Sequence, residues 1–543
     1  MAVNPFFRND LAQKKFLIVD DFGDMRSMMR GMLQLFGCKD IQTAASGIEA
    51  VSRLEEGRFD IVLCDYNLGD GKSGQQVLEE ARFRGLVGYA TIFIMVTAEN
   101  TRDMVMGAVE YEPDGYLSKP FTKDLLKMRL DRLVLKKADL GEVEKAAQSG
   151  DYDIAISRLN ALISSRPKQL GELLKLKADL CMKAGQIDQA AEIFQAAMVE
   201  RELDWAKFGL ARVRFNKGQY AEARELLQGL IESNPNFMGA YDWLAKTYGM
   251  LGNTRQAQDL LQRAVNLSPR AILRQQALGG LALKNKAHDV AEKAFRQAVI
   301  LGRHSVYRNV TSYTGLAESK SLLNKNREAL EVISQIDTVF DRKEDAALFA
   351  RVGESKVRQR MGDTDGAQVQ LNAALELYQR LGYRSPKQAT LDLLRACLAV
   401  GDIEQAMHIA KSLIRNNHDD DHLLEEIKTA FREANLDIDT QTFVHDIRHE
   451  IVQLNNRGVE LARNGQIPEA IKLFEETANS NPGNKTINLN AARVLILQMQ
   501  RAGKKNDQLQ RAREYLDRVR AIDPKNQTLI KLLVTFKQLI TAD

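Results

Sequence analysis

The sequence predicts two architectures in tandem: a doubly wound α/β unit with a five-stranded parallel sheet, and then an all-α solenoid of helical hairpins. Three observations carry this. Short apolar runs alternate with amphipathic stretches up to about residue 135, strand signals stop there, and a self-similar helical pattern follows at a period near 34 residues.

In the first part, Lys15–Asp20 (KFLIVD), Asp40–Ala45 (DIQTAA), Asp60–Asp65 (DIVLCD), Thr91–Thr97 (TIFIMVT) and Asp114–Pro120 (DGYLSKP) read as strands. Apolar residues at helical spacing, as in MRSMMRGMLQLFG, fill the intervals. Near-continuous apolar strands fit a parallel sheet covered on both faces.

Beyond residue 136, Ala155, Ala190, Ala223, Ala257 and Ala291 recur at steps of 35, 33, 34 and 34. Gly150, Gly185, Gly218 and Gly252 stand five residues before the first four, and a large apolar residue stands four after each. The glycine ends one helix, the alanine lets two helices approach closely, and Pro167, Pro235 and Pro269 stop the second helix. Fainter copies follow at Ala329, Ala367 and Ala406, and a clear one at 456–482, about ten in all. Residues 417–450 break the period and read as an irregular helical insert. The expected layout is therefore 1–135, 136–416, 417–450 and 451–543. With no Pro/Gly/Ser-rich linker, the last helix of the first part is expected to run on into the first repeat, a stiff connection.

The composition sets bounds. The 543 residues exceed one core, and the net charge of +4 hides an asymmetry. Residues 1–125 hold 14 Lys+Arg against 19 Asp+Glu, which leaves −5 there and +9 on the rest. That excess is too dilute to imply nucleic acid. No apolar run is long enough to span a bilayer, and the first residues lack the pattern of a secretory signal. The four cysteines are far apart, which argues against zinc and disulfides, so a cytoplasmic protein with free thiols is expected.

The chemistry gathers at strand ends. Asp20 and Asp21 end the first strand, Asp65 the third, Thr97 the fourth and Lys119 the fifth. Functional groups of open α/β sheets lie outside the carboxyl ends of the strands. Three carboxylates there call for a hard cation such as Mg²⁺, and an ammonium and a hydroxyl beside them make a pocket for a phosphoryl group.

The stretches VDDFGDMRSMMRGMLQLFG (19–37), LCDYNL (63–68), VTAE (96–99) and YLSKPF (116–121) resemble response-regulator receiver domains, a flavodoxin-like fold. The resemblance implies that Asp65 accepts phosphate, and that Asp20, Asp21, Asp65 and the Asn67 carbonyl bind Mg²⁺. It further implies that Thr97 and Lys119 stabilise the phosphoryl group and that Tyr116 is the aromatic switch. Ala98 keeps the approach to Asp65 open, and Asn67 with Glu99 tunes the lifetime of the modified state. One departure stands out: the loop YNLGDGKSG after Asp65 lacks the family's Met-Pro and is one residue longer. The repeats resemble tetratricopeptide (TPR) repeats. That resemblance puts Trp205, Phe208, Arg212 and Lys246 on a concave groove, where the aromatics either anchor a peptide or fill the inter-repeat core.

The function expected is that of a two-component phosphorelay adaptor rather than an enzyme. A histidine kinase or phosphotransfer protein acts upstream, and an unidentified protein binds the TPR groove. The signal is expected to leave through the fourth helix (about 100–111), the fifth strand and the fifth helix, reaching Leu140, Val143 and Tyr152. The alternative is a nucleic-acid-binding regulator acting through the basic helical region, but no helix-turn-helix pattern or basic-aromatic cluster supports it. His445 and His449 have metal-ligand spacing without a third ligand, and His418–His422 (HDDDH) reads as an exposed, helix-starting loop.

Overall fold

The structure, a computed structural model, describes residues 10–98, 110–138, 140–165, 170–200, 203–436, 439–524 and 526–541. It divides into two compact units, Met1–Ser319 and Lys320–Asp543.

The first unit opens with a five-stranded, all-parallel sheet made of β1 (Phe16–Val19), β2 (Ile41–Ala44), β3 (Ile61–Asp65), β4 (Ile92–Thr97) and β5 (Gly115–Ser118). The strand order is β2-β1-β3-β4-β5, so the winding reverses between β1 and β3 and opens a crevice at their carboxyl ends. The pleat divides the apolar runs between two faces. Phe16, Ile18, Ile61, Leu63, Ile94 and Val96 pack against Met29 and Leu33 of α1 (Gly23–Leu35) and Leu126 and Leu130 of the helix Lys123–Lys137. On the other face, Leu17, Val19, Val62, Cys64, Phe93 and Met95 meet Val51 and Leu54 of α2 (Gly47–Glu56) and Val77 and Leu78 of α3 (Gly74–Phe83). The expected fourth helix lies outside the described residues except for Glu110 and Tyr111, which are helical.

Helical hairpins complete the first unit. Their second helices are Tyr152–Ser165, Ile187–Glu200, Tyr220–Ser233, Thr254–Leu267 and His288–Gly302. The five period-setting alanines on these helices are fully buried. The large residue four positions on fills the space left by a small residue of the next helix. A Cβ on Gly209 would come within 2.1 Å of the Phe194 ring, and one on Gly315 within 2.5 Å of the Phe295 ring. The turn residue of each hairpin is left-handed, with φ of 77° at Gly185 and 76° at Gly218. Asn324 (φ 61°) occupies the same station ahead of Ala329 without being glycine, which weakens the mark of that copy in the sequence, and Lys286 (φ 60°) does so ahead of Ala291.

Two expectations need correction. The helix Lys123–Lys137 does not run on into the repeats: Ala138 turns extended (ψ 139°) and a new helix, Gly141–Gln148, begins. In the second unit, the expected division at residue 450 falls inside one continuous helix, Thr440–Arg463. No Gly or Pro lies between 437 and 457 to stop it, and Gly458 sits within the helix beneath the Phe474 ring. The supposed insert is itself helical at Asp421–Glu433. Asp420 caps that helix, as the acidic loop suggested, but His418 is buried rather than exposed. His445 and His449 are exposed, and their rings stack 5.7 Å apart.

Candidate phosphoryl-acceptor site and solenoid groove

The sheet brings the strand-end residues together. Asp20 is fully buried, Asp65 and Thr97 are buried, and Asp21 is half-buried. Asp20, Asp21 and Asp65 each offer an oxygen within 4.8 Å of the others. The Lys119 Nζ donates to Asp20 Oδ2 at 2.8 Å and to Asp65 Oδ2 at 2.7 Å. The backbone N–H of Lys119 donates to the Thr97 carbonyl at 2.7 Å, which ties the two strand ends into one floor. The Phe22 N–H donates to Asp20 Oδ1, opposite the Lys119 bond to Oδ2, so that carboxylate is held from both sides, and the Arg26 guanidinium donates to the Asp20 backbone carbonyl.

Electrostatics follow from this packing. Burial pushes the Asp65 carboxyl above its ordinary range, and Lys119 offsets only part of that. Burial works to lower the Lys119 ammonium, but its bonds to Asp20 and Asp65 together outweigh this and hold it above its usual value. Burial raises the Cys64 thiol far above normal, with Asp65 and Asp20 adding to the effect, so it is a core group rather than a nucleophile.

The oxygen-only donor set fits a hard divalent cation. One atom makes the fit specific: Asp21 Oδ1 is buried without a hydrogen-bond partner, which ordinarily costs about 1–3 kcal/mol. A cation among the three carboxylates would satisfy it.

Two glycines build the walls, and sequence reasoning missed both. Gly74 opens α3 against the Asp65 carbonyl, where a Cβ would sit only 2.0 Å from the oxygen. Gly69 lies in the loop after β3 with φ 68°, where a Cβ would stand 3.3 Å from Asp21 Oδ2. The Ser-Gly pair ahead of a helical pattern was the available signal, because Ser73 caps α3 in a full capping box with Gln76. Asn67 is exposed, and its N–H points to Asp65 Oδ1 at 3.4 Å. Glu99 lies outside the described residues. Tyr116 is half-buried; burial raises its phenol, and Tyr66 adds to the shift.

The four groove candidates separate. Phe208 and Arg212 (helix Asp204–Asn216) and Lys246 (helix Met238–Met250) converge on Trp243, which sequence reasoning did not single out. The Arg212 guanidinium lies 5.5 Å from the Trp243 ring centre, Lys246 Nζ lies 4.8 Å from it, and Phe208 meets the ring edge-on. Trp205 instead meets the buried Phe194 edge-on at 6.0 Å. No described helix is long and apolar enough to cross a membrane.

Comparison with known proteins accords with this geometry. Residues 16–131 match the response regulator receiver domain family. Tetratricopeptide repeat families match residues 140–204, 182–246, 240–271 and 455–527. Chemotaxis protein CheY-3 of Vibrio cholerae is 35% identical over 22% of this chain and 90% of its own length. Chemotaxis protein CheY of Pseudomonas aeruginosa is 34% identical over 22% of this chain and 94% of its own. The solved structure of Vibrio cholerae CheY4 is 30% identical over 22% of this chain and 99% of that one, with a TM-score of 0.21. A tetratricopeptide repeat protein from Parabacteroides merdae covers 44% of this chain and 91% of its own at 17% identity, with a TM-score of 0.30. The chain therefore belongs to the CheY-like response regulator receiver family, with tetratricopeptide repeats following its receiver domain.

Proposed function

We propose that this protein is a phosphorylation-switched adaptor in which Asp65 accepts a phosphoryl group and the TPR solenoid binds a protein partner. The observation that carries the reading is the convergence of Lys119 on Asp65 and Asp20 beside the unpartnered Asp21 oxygen. An Asp65 carboxylate oxygen attacks phosphorus of an acyl phosphate or phosphohistidine. The new O–P bond forms as the donor's O–P or N–P bond breaks, and the donor leaves as carboxylate or imidazole. Lys119 holds the Asp65 carboxylate and neutralises negative charge gathering on the transferred group. The Thr97 hydroxyl, at the adjoining strand end, takes one phosphoryl oxygen. Asp20, Asp21 and Asp65, with the Asn67 carbonyl, would hold Mg²⁺, which neutralises the remaining oxygens when bound. Tyr116 reports the change, and Asn67 with Glu99 governs how fast water removes the group. On the solenoid, Trp243 with Phe208, Arg212 and Lys246 offers an aromatic, cationic surface for a partner segment, and Trp205 supports the core beneath. The protein is cytoplasmic in this reading, and its output is binding rather than catalysis.

The test is uptake of a phosphoryl group from acetyl phosphate with Mg²⁺, followed by intact mass. The wild type should gain one phosphoryl group and Asp65→Ala none. Equal labelling of the two proteins would dismiss the assignment.

A further inference from the structure

Within the first unit the receiver packs on its own solenoid. The Tyr66 hydroxyl accepts from Arg270 Nη1 at 3.1 Å, Ser305 donates to Glu79 at 3.3 Å, and the Arg274 guanidinium donates to Glu110 at 2.5 Å. These contacts bring the turn after the helix His288–Gly302 up to α2 and α3, and a cleft of about 490 Å³ opens between them. Sites for small molecules occupy about 300–1,000 Å³, so the cleft is of that size.

Part of its lining is apolar. Ile48 and Val51 of α2 and Val306 of the turn contribute to it. Val51 is buried, whereas Ile48 is 65% exposed. The rest is charged, and the charges do not balance: four cations, Lys72, Arg84, Arg303 and Arg308, share the cleft with two carboxylates, Glu55 and Glu80. Both carboxylates are already engaged. Arg84 pairs with Glu55 and, at 3.2 Å, with Glu80, and Lys72 also pairs with Glu80. Lys72 donates besides to the His304 carbonyl at 2.9 Å, which pins its ammonium to the solenoid turn.

Arg303 is the opposite case. It is exposed, and among the described residues its guanidinium has no hydrogen bond or ion pair. The half-buried His304 imidazole senses the local excess of positive charge: burial lowers its pKa, and Arg303, Lys72 and Arg308 all push it the same way. Like charges gathered at one cleft favour an anion there, and a guanidinium fork matches the oxygens of a phosphate.

We propose that this cleft binds a small organic phosphate of the size and charge of a nucleoside diphosphate. Arg303 and Arg308 take the phosphate oxygens, Lys72 adds its charge beside them, and Ile48 with Val51 covers the ring. The cleft shares no residue with Asp20, Asp21, Asp65, Thr97 or Lys119, so the proposal is independent of the acceptor reading.

The test is calorimetric titration of the full chain, without Mg²⁺, with ADP, inorganic pyrophosphate and adenosine. ADP should bind at one site per chain, pyrophosphate more weakly and adenosine not at all. Arg303→Glu should weaken both ADP and pyrophosphate by about 10-fold or more, because it replaces a charge-assisted contact with a repulsion. Ile48→Ser should weaken ADP alone. Both side chains are exposed, so the variants fold, and both should label at Asp65 from acetyl phosphate with Mg²⁺ as the wild type does. Equal affinities for ADP and pyrophosphate would overturn the role given to the apolar wall. No saturable binding of ADP up to about 1 mM, or an ADP affinity in Arg303→Glu within about twofold of wild type, overturns the phosphate site and leaves the acceptor reading untouched.

Discussion

Gly74→Ala tests whether the acceptor is positioned by backbone packing. The added Cβ would stand 2.0 Å from the Asp65 carbonyl oxygen, 2.9 Å from its carbonyl carbon and 3.1 Å from Cys64 Sγ. The first two of these are backbone and the third is a fully buried core side chain, so none can swing aside. Restoring an ordinary contact of 3.4 Å requires α3 and β3 to part by about 1.4 Å at this point. Overpacking of this kind costs about 1–3 kcal/mol, and Tm falls by about 2–4 °C per kcal/mol in a unit of this size. The displacement is also about the size that costs ~100-fold in a positioned reaction. Phosphoryl uptake should therefore fall by one to two orders of magnitude in a protein that is still folded at 25 °C. Acetyl-phosphate labelling read by intact mass, with a parallel thermal melt, measures both effects. Gly31→Ala is the matched control: it lies within α1 with nothing inside 4 Å of the new Cβ, and should stabilise by about 0.5–1 kcal/mol without touching uptake. A Gly74→Ala protein that labels at the wild-type rate and melts with the wild type would refute this account of how Asp65 is held.

Two further outcomes concern the solenoid. His418 is buried with Nδ1 3.0 Å from the Asn484 amide nitrogen, which also donates to the Arg415 carbonyl, so the ring must accept there and stay neutral. Burial lowers the His418 pKa, with Asp419 opposing and Arg448 adding to the shift. A base whose folded pKa is depressed contributes stability at high pH and loses it as pH falls through the unfolded value of about 6.5. Melting should therefore drop between pH 7.5 and 5.5, and His418→Leu should flatten that slope; an equal slope in both proteins counts against the assignment. Lys286 holds a left-handed turn (φ 60°) at the station where other repeats carry glycine. Lys286→Gly should therefore raise stability by about 0.5–1 kcal/mol in urea melts, and a loss would show that the side chain matters more than the backbone.

Much of this was legible in one dimension because its physics is local or periodic. Five apolar runs separated by amphipathic segments leave a parallel sheet as the economical packing, and strand ends at Asp20, Asp65, Thr97 and Lys119 must meet on the carboxyl edge of such a sheet. The repeat period is equally local: a left-handed turn, a close helix approach at a buried alanine, and a large apolar residue four positions on. Where Lys286 and Asn324 take the turn without glycine, the backbone keeps the geometry and the sequence loses the mark. The end of the last receiver helix at Lys137 and the unbroken run from Thr440 to Arg463 are weaker choices. Propensity there differs little between continuing and stopping, and packing decides.

What only the tertiary structure decided is which distant residues become partners. Nothing in the order of residues puts Tyr66 against Arg270, Glu79 against Ser305, or Glu110 against Arg274 and Asp242, because each pair joins segments well over a hundred residues apart. Likewise Trp243, with Lys246 three residues on along its own helix, joins Phe208 and Arg212 only once consecutive hairpins stack. The sequence by itself determined the elements and the chemistry at the strand ends, since those follow from periodicity and from the topology of a parallel sheet. The interface between receiver and solenoid was left to the fold, since complementarity between two surfaces exists only when both have formed.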